Sequence, residues 1–447
     1  MPSRPVTQLS IRPREIWAWA LFDFANSSYT TVIITVVYSV YFTKVVAAGH
    51  VGEQLWGWGY SASMLAIAFM SPFLGAVADF AGAKKRILCF LTGLSVVFTA
   101  LLYFVGSGDV WMGLLFLVLS NIGFAGGLTF YNGFLPEIAR ADNMGRISGY
   151  GWALGYVGGL VSLVLVFPFV RGGFGEENLS SVRWAFPLTA VFFFVASLPT
   201  FLLLRERAVP SELTAGEGYW RVGWRRVFGT LREIRRFREL VKFFIAFFIY
   251  GDAINTVIVF SAIFAAHVLG FSPGELIVFF VVVQVTAALG AFAFGPVTDR
   301  LGAKRTIGIT LVIWIGVVAA AVWVETKEAF YVVGLVAGLA IGSSQAASRA
   351  LIALMTPPGK NAEFFGFFAL TEKFAAIMGP LVYGTISAWT GSQRTALLSV
   401  GAFFILGFAA LQFVREKEGI EAARETAQPC SGGGGTGGSP NLPSART

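Results

Sequence analysis

Asp23, Asn26 and Thr30 follow one another at helical spacing inside an apolar stretch, and Asp252 and Asn255 repeat the Asp-x-x-Asn pattern inside another. A carboxylate surrounded by hydrocarbon is expensive, so it is expected to face a bundle interior or a watery path and to bind or relay something. At 1.5 Å per residue, Asp23 lies about 12 Å beyond Glu15 and Asp252 about 15 Å beyond Lys242. Equal pattern at similar depth predicts two walls of one central cavity, with both Asp residues as substrate or proton sites. The plainer alternative is that these polar groups only bond neighbouring helices together, an even choice for Asn26 and Asn255.

A second polar cluster comprises Ser343, Ser344, Gln345 and Arg349 in one apolar stretch and Glu372 and Lys373 in the next. Gln345 and Arg349 share a helix face at i, i+4. Depth alone predicts an Arg349–Glu372 ion pair, as a static lock or as a gate. Arg349 and Lys373, taken with the Asp residues, would offer both signs of charge to a zwitterion.

A third pattern is Gly75-x-x-x-Asp79-x-x-Gly82-x-Lys84, which recurs as Gly295-x-x-x-Asp299-Arg300-x-Gly302-x-Lys304. Each copy sits in a short polar turn between long apolar stretches. The first Gly lets helices approach closely, the Asp can cap the following helix or meet a base, and the second Gly permits the tight turn. Two copies with the same internal offsets predict a duplicated membrane unit, the usual plan of a carrier that rocks about a central site. Gly151, Gly155 and Gly159, and Gly334, Gly338 and Gly342, form small-residue ladders read mainly as close packing. Gly295-Pro296 and Gly379-Pro380 are candidate bends.

The elements that must position these residues are membrane helices. The chain has 447 residues, 56% hydrophobic and 13% charged, with mean hydropathy +0.71. A water-soluble domain could not hide that much apolar surface. Twelve stretches reach the length of about 20 residues needed to span: 16–43, 55–79, 86–106, 110–135, 146–170, 183–204, 242–268, 274–298, 305–324, 328–355, 363–389 and 394–414. None alternates as a barrel strand does. The fold class is therefore an all-α membrane protein of twelve helices in two pseudo-symmetric six-helix bundles. The expected organisation is bundle 1–204, a basic amphipathic linker 205–241, bundle 242–414 and a disordered tail 415–447. The first stretch is too long for a cleavable signal.

The net charge of +8 resides in the connections. Arg4, Arg12, Arg14, Lys84, Lys85, Arg86, Arg140, Arg146, ten basic residues from Arg205 to Lys242, Arg300, Lys304, Arg305 and Lys360 fall on one side; Lys44, Arg171, Arg183, Lys327 and Arg394 fall on the other. That asymmetry predicts a cell-membrane protein with both termini cytoplasmic, and accounts for the charge without nucleic acid. In the linker, Trp220, Trp224, Val227, Leu231 and Ile234 recur at helical spacing among Arg221, Arg225, Arg226, Arg232, Arg235 and Arg236. This predicts a helix on the membrane surface touching anionic lipid over 220–240. Cys89 in a span and Cys430 in the tail do not suit a disulfide. No Walker A or H-E-x-x-H pattern occurs, and His50 and His267 are the only histidines. The reading is a non-enzyme without cofactor or metal, working as a monomer on a small solute, with protons as a possible second cargo. A receptor or scaffold without flux, and a lipid flippase, are the alternatives.

Twelve spans in two halves with these turn motifs resemble the major facilitator superfamily over about 14–414. Four stretches are similar to the vacuole-effluxer-like family: REIWAWALFDFANSSY at 14–29, FLPEIA at 134–139, RISGYGWALGYVGG at 146–159 and the run from Gly342 to Gly384. The resemblance implies secondary active export by alternating access, with amino acids as the leading cargo. It implies gating roles for Asp79 and Asp299. Phe80 stands where the turn motif usually has a base, whereas Arg300 keeps it, so any charge latch between the halves is expected to be lopsided.

Overall fold

In the computed structural model, residues 12–47, 50–208, 210–213, 217–376 and 378–426 are described. Among them, twelve helices are long and apolar enough to span a bilayer. The first six are α1 (Pro13–Val46), α2 (Val51–Ala81), α3 (Lys84–Phe104), α4 (Val110–Ile138), α5 (Met144–Val170) and α6 (Glu176–Leu203). A linker helix, α7 (Tyr219–Arg232), follows. The second six are α8 (Ile234–Leu269), α9 (Gly274–Leu301), α10 (Ala303–Trp323), α11 (Lys327–Met355), α12 (Asn361–Thr390) and α13 (Gln393–Gln412). A short helix, α14 (Glu416–Glu425), closes the described chain. No strand occurs among the described residues.

Local chemistry sets several boundaries. At the start of α9 the Ser272 hydroxyl accepts from the Glu275 N–H at 3.3 Å, and the Glu275 carboxylate accepts from the Ser272 N–H at 2.7 Å, a reciprocal capping box. Thr326 caps α11 through the Ala329 N–H at 3.2 Å. Within α1 the β-branched run 30–37 winds more widely, as a π-helix over Tyr29–Val36. There the Thr35 hydroxyl donates to the carbonyl of Thr30, five residues back, at 2.9 Å.

The two predicted bends behave differently. Pro296 sits in an unbroken helix. In contrast α12 consists of two segments, Asn361–Ala375 and Met378–Thr390, and Gly379-Pro380 lies in the first turn of the second. Pro380 has no N–H to continue the ladder, which suits a break just before it.

The halves meet along two crossings, α2 on α12 and α5 on α9. Glycines allow both. A Cβ on Gly75 would collide with the Ala362 carbonyl, and one on Gly295 would stand 2.9 Å from the Arg146 Cα. The side-chain hydrogen bonds between halves reach no farther from the linker end than Tyr156–Gln345, among the described residues. Tyr156 is twelve residues into α5 and Gln345 ten residues from the end of α11. The seam is thus closed over roughly 15–18 Å from the linker end.

The tail departs from expectation. Residues 416–425 are helical, and 427–447 lie outside the described residues, as does Cys430. The α14 helix forms because it has something to dock on. Gly419 packs on Met355, and Glu418 accepts from Arg415 at 2.7 Å and from Arg238 at 3.1 Å. Hydrogen bonding from Arg415, ahead of that from Arg238, holds the Glu418 carboxyl below its ordinary range.

Candidate functional site

At the seam, Arg349 of α11 donates from Nη1 to Asp23 Oδ2 of α1 at 2.8 Å, joining the two halves through a buried ion pair. Three further bonds hold the guanidinium: Nε to the Ser148 hydroxyl at 3.1 Å, Nη2 to the Ser148 carbonyl at 2.7 Å, and Nη1 to Asn132 Oδ1 at 3.3 Å. Aromatic rings surround it. The guanidinium carbon is 4.9 Å from the centre of Trp19, 5.2 Å from Trp152 and 5.8 Å from Tyr131. Arg presents planar donors and stacks on rings, so this cage suits it far better than Lys.

The expected Arg349–Glu372 pair is not formed. Glu372 instead lies 3.3 Å from its neighbour Lys373, and both are half-buried. Depth along two helices set the two residues level but said nothing about which faces they present. Asp23 lies on the face that α1 turns to α5 and α11, so it takes the guanidinium.

Gly151 makes the pair possible. A Cβ there would stand 2.6 Å from both Arg349 Nη2 and Asp23 Oδ2. One member of the α5 glycine ladder therefore leaves room for charge chemistry, while Gly158 lets the Phe24 backbone approach. The other ladder stays structural: Gly338 and Gly342 press on Thr286 and Ala287 of α9, within their own half.

Two buried donors close by have no partner among the described residues: Asn26 Nδ2, one turn from Asp23, and Trp152 Nε1, on a ring of the cage. A buried donor left unmade is costly, and such groups mark places where a ligand or water binds. Gln345 accepts from the Tyr156 hydroxyl across the seam, one turn from Arg349. Thr30, beyond the start of the π-helical stretch, is exposed.

The second Asp-x-x-Asn pair does not join this cluster. Asp252 is fully buried, neither of its oxygens has a hydrogen-bond partner, and it makes no ion pair among the described residues. Its neighbours are Gly379, whose missing Cβ would be 3.0 Å from Oδ1, and Thr256 on its own helix. Asn255 is half-buried. The two Asp residues match in sequence, yet one faces the seam and the other the broken part of α12.

The turn motifs tie the two halves together, by a route the sequence reading did not anticipate. Asp79 does not cap the helix that follows it. Its Oδ2 accepts from the Glu363 N–H at 2.9 Å, at the start of α12 in the other half. Asp299 likewise accepts from the Gly145 N–H at 2.7 Å and the Arg146 N–H at 3.2 Å, at the start of α5. Neither α5 nor α12 has a side-chain cap of its own. Each half thus supplies the N-cap that the other lacks, and the helix dipole favours the carboxylate there. The following helices are capped by residues that the sequence reading passed over. Glu206 accepts from Lys84 and Lys85 N–H at 2.7 and 3.0 Å, and Glu416 from Ala303 and Lys304 N–H at 3.0 and 3.3 Å.

The two latches differ. On the first side, Lys84 is buried, lies 3.6 Å from Asp79 and donates to Glu137. On the second, Asp299 meets Arg146, which is half exposed, at 3.6 Å, and Lys304 donates to the Gln412 carbonyl at 2.9 Å. Arg300 is exposed and carries no ion pair among the described residues. Gly82 and Gly302 adopt φ of +57° and +92°, as the tight turns require.

Sequence reasoning missed Trp19, Asn132, Glu137, Ser148, Trp152, Tyr156 and Glu363. A signal was available for most of them: Trp19, Glu137, Ser148, Trp152, Tyr156 and Glu363 all fall within the four stretches that carried the resemblance.

Comparison with known proteins adds the following. A sequence model of the family described as "Vacuole effluxer Atg22 like" matches residues 59–424. A Bacillus subtilis protein named as an uncharacterized MFS-type transporter, YxiO, is 29% identical over 417 residues, covering 91% of this chain and 96% of that protein. Autophagy-related protein 22 of Saccharomyces cerevisiae is 26% identical over 315 residues, 63% of this chain and 59% of that protein. The chain matches about half the length of several other fungal relatives. Among solved structures, the human organic anion transporter MFSD10 superposes with a TM-score of 0.71 at 14% identity, over 90% of this chain and all of that one. The proton:xylose symporter XylE gives a TM-score of 0.71 at 14% identity, over 92% and 98%. These likenesses place the fold in the major facilitator superfamily.

Proposed function

Because this chain belongs to the vacuole effluxer Atg22-like family, a family of multi-pass membrane transporters, we propose that it is a secondary transporter that exports a small zwitterionic solute such as an amino acid by alternating access. The observation that carries this reading is the Asp23–Arg349 pair, a buried bond of opposite charges that must break before the halves can separate. A solute with a carboxylate and an ammonium group can replace both partners at once. Its carboxylate would take Arg349 together with the spare donors of Asn26 and Trp152, and its ammonium would take Asp23. Breaking a buried pair one partner at a time strands a charge; exchanging both together avoids that. Gln345, Glu372 and Lys373, and Asp252 with Asn255, are further candidate proton or solute contacts.

A proton is the second cargo in this reading. The buried acidic residues Asp23 and Asp252 are its candidate contacts. Basic residues concentrated at the linker end orient that end, and both termini, toward the cytoplasm. The closed seam then makes this the outward-facing state of a monomer in the cell membrane. The linker helix rests on anionic lipid.

Proteoliposomes test the reading. Counterflow of radiolabelled amino acids is expected with the wild type and absent with Asp23→Asn and Arg349→Gln. A screen in which amino acids, peptides and sugars all leave the melting temperature unchanged would remove the amino-acid assignment. No flux of any solute, with the protein folded, would favour a receptor or scaffold.

A further inference from the structure

The linker helix α7 lies across the seam that alternating access must open. Its Gly223 packs so closely on α2 that a Cβ would stand 2.6 Å from the Phe73 ring and 2.8 Å from Val77. Trp220 and Trp224 flank Phe73 at centroid distances of 4.7 and 5.3 Å. These contacts fix α7 to the first half. Arg226 reaches the second: Nη2 donates to the Gly359 carbonyl at 3.0 Å and Nε lies 3.6 Å from Glu363 Oε2. Lys360 adds a bond to the Thr230 hydroxyl at 2.7 Å. Glu363 is fully buried, neither of its carboxylate oxygens accepts a hydrogen bond, and Arg226 is its only ion-pair partner among the described residues. The N–H of the same Glu363 is the one that Asp79 accepts.

The outer side of α7 carries a different chemistry. Trp220 is 69% exposed and Phe228 54%, with Tyr219 and Leu231 also exposed. Arg221, Arg225 and Arg232, and Arg235 and Arg236 just beyond, are exposed as well. Of these five only Arg225 has an ion-pair partner, Glu217, among the described residues. Phe69, one turn from Phe73 on α2 and 65% exposed, continues the aromatic strip toward the middle of the bilayer. Aromatics continuous with the apolar belt, bordered by exposed arginines of which four have no ion-pair partner among the described residues, fit the headgroup zone of an anionic leaflet.

We propose that α7 is a clasp set by the bilayer surface: seated on anionic headgroups, it holds Arg226 against Glu363 and keeps the linker end closed. Opening carries α12 away from α2. Arg226 must then lose Glu363, or follow it and draw the five arginines off the headgroups. Anionic lipid penalises the second route, so it binds the closed state better, which is what a shift in population requires. The proposal rests on the reading of a two-state carrier with this end in the cytoplasm, and its test needs no solute.

The full-length protein, with Cys89 and Cys430 replaced by Ser, carries spin labels at Arg86→Cys and Arg305→Cys, exposed positions on opposite halves. Distances are measured in nanodiscs of phosphatidylglycerol and of phosphatidylcholine. The closed-to-open ratio is expected to rise about fivefold in phosphatidylglycerol, the scale of one partly exposed ion pair. Arg226→Gln should abolish that lipid dependence and favour the open form in both lipids. Replacing Arg221, Arg225, Arg232, Arg235 and Arg236 by Gln should abolish it while the Arg226 contacts remain. Brominated-lipid quenching that disappears in a Trp220→Phe/Trp224→Phe variant reports seating independently. Quenching without a lipid effect on distance would overturn the clasp and leave the lipid contact standing; absence of quenching would overturn both. Two distances that never interconvert in any lipid would instead count against the carrier reading.

Discussion

Arg349 and Asp23, 326 residues apart in the chain, meet at 2.8 Å across the boundary between the two halves. Both are nearly devoid of solvent contact, and the arginine is further held by Ser148, Asn132 and three aromatic rings. A carrier needs a bond that is worth making in one state and replaceable in transit, and this pair has that character.

The pair should show coupling in a double-mutant cycle. Arg349→Gln or Asp23→Asn alone leaves a buried polar group without its partner and is expected to destabilise by about 3–5 kcal/mol. The double variant should lose less than the sum. Additive losses in denaturant or thermal unfolding would mean the two residues do not act on each other. Arg349→Lys should also fail in transport, because one ammonium cannot reproduce bonds to Asp23, Asn132 and Ser148 together.

Gly151→Ala tests the space that the pair occupies. The added methyl would stand 2.6 Å from both ionic atoms, so the pair must shift or part. Counterflow is expected to fall by about tenfold or more, since small misplacements at a working site are costly. Gly93→Ala, where nothing lies within 4 Å, is the control and should be neutral or slightly stabilising.

The reciprocal caps predict a shift of the gate rather than loss of folding. Asp79→Ala and Asp299→Ala each remove an N-cap supplied from the other half, worth about 1 kcal/mol. Labelling of cysteines placed at the linker end should become faster in both variants. Asp79→Ala should have the larger effect, because its side is buried and bound to Lys84 while the Asp299 side meets the half-exposed Arg146. An unchanged labelling rate would show that the caps do not hold the gate.

Asp252→Asn should be tolerated. A fully buried carboxyl with no hydrogen bond and no ion pair gains little from its charge, and a neutral amide of the same shape costs less to bury. The melting temperature is expected to stay level or rise. A fall of several degrees would reveal a partner for Asp252.

The origin of each feature can be traced residue by residue. Twelve spans, two halves and the turn glycines were legible because hydrocarbon leaves few options. An apolar run of about 20 residues must be a helix, and a repeated Gly-x-x-x-Asp-x-x-Gly-x-Lys must mark equivalent turns. Candidate residues were legible for the same reason, since a charge amid apolar sequence stands out. The structure left the partners to be discovered. Arg349 went to Asp23 and away from Glu372; Asp79 and Asp299 capped helices of the opposite half; Asp252 turned from the seam; residues 416–425 folded once α8 and α11 gave them a surface.

Sequence alone thus determined which elements exist and which side chains are expensive where they stand, because both follow from local composition against a fixed solvent. Tertiary structure alone decided what each expensive side chain touches. That depends on helix rotation about the axis and on which helices cross, quantities fixed by glycine contacts hundreds of residues apart and carried by no single stretch of chain.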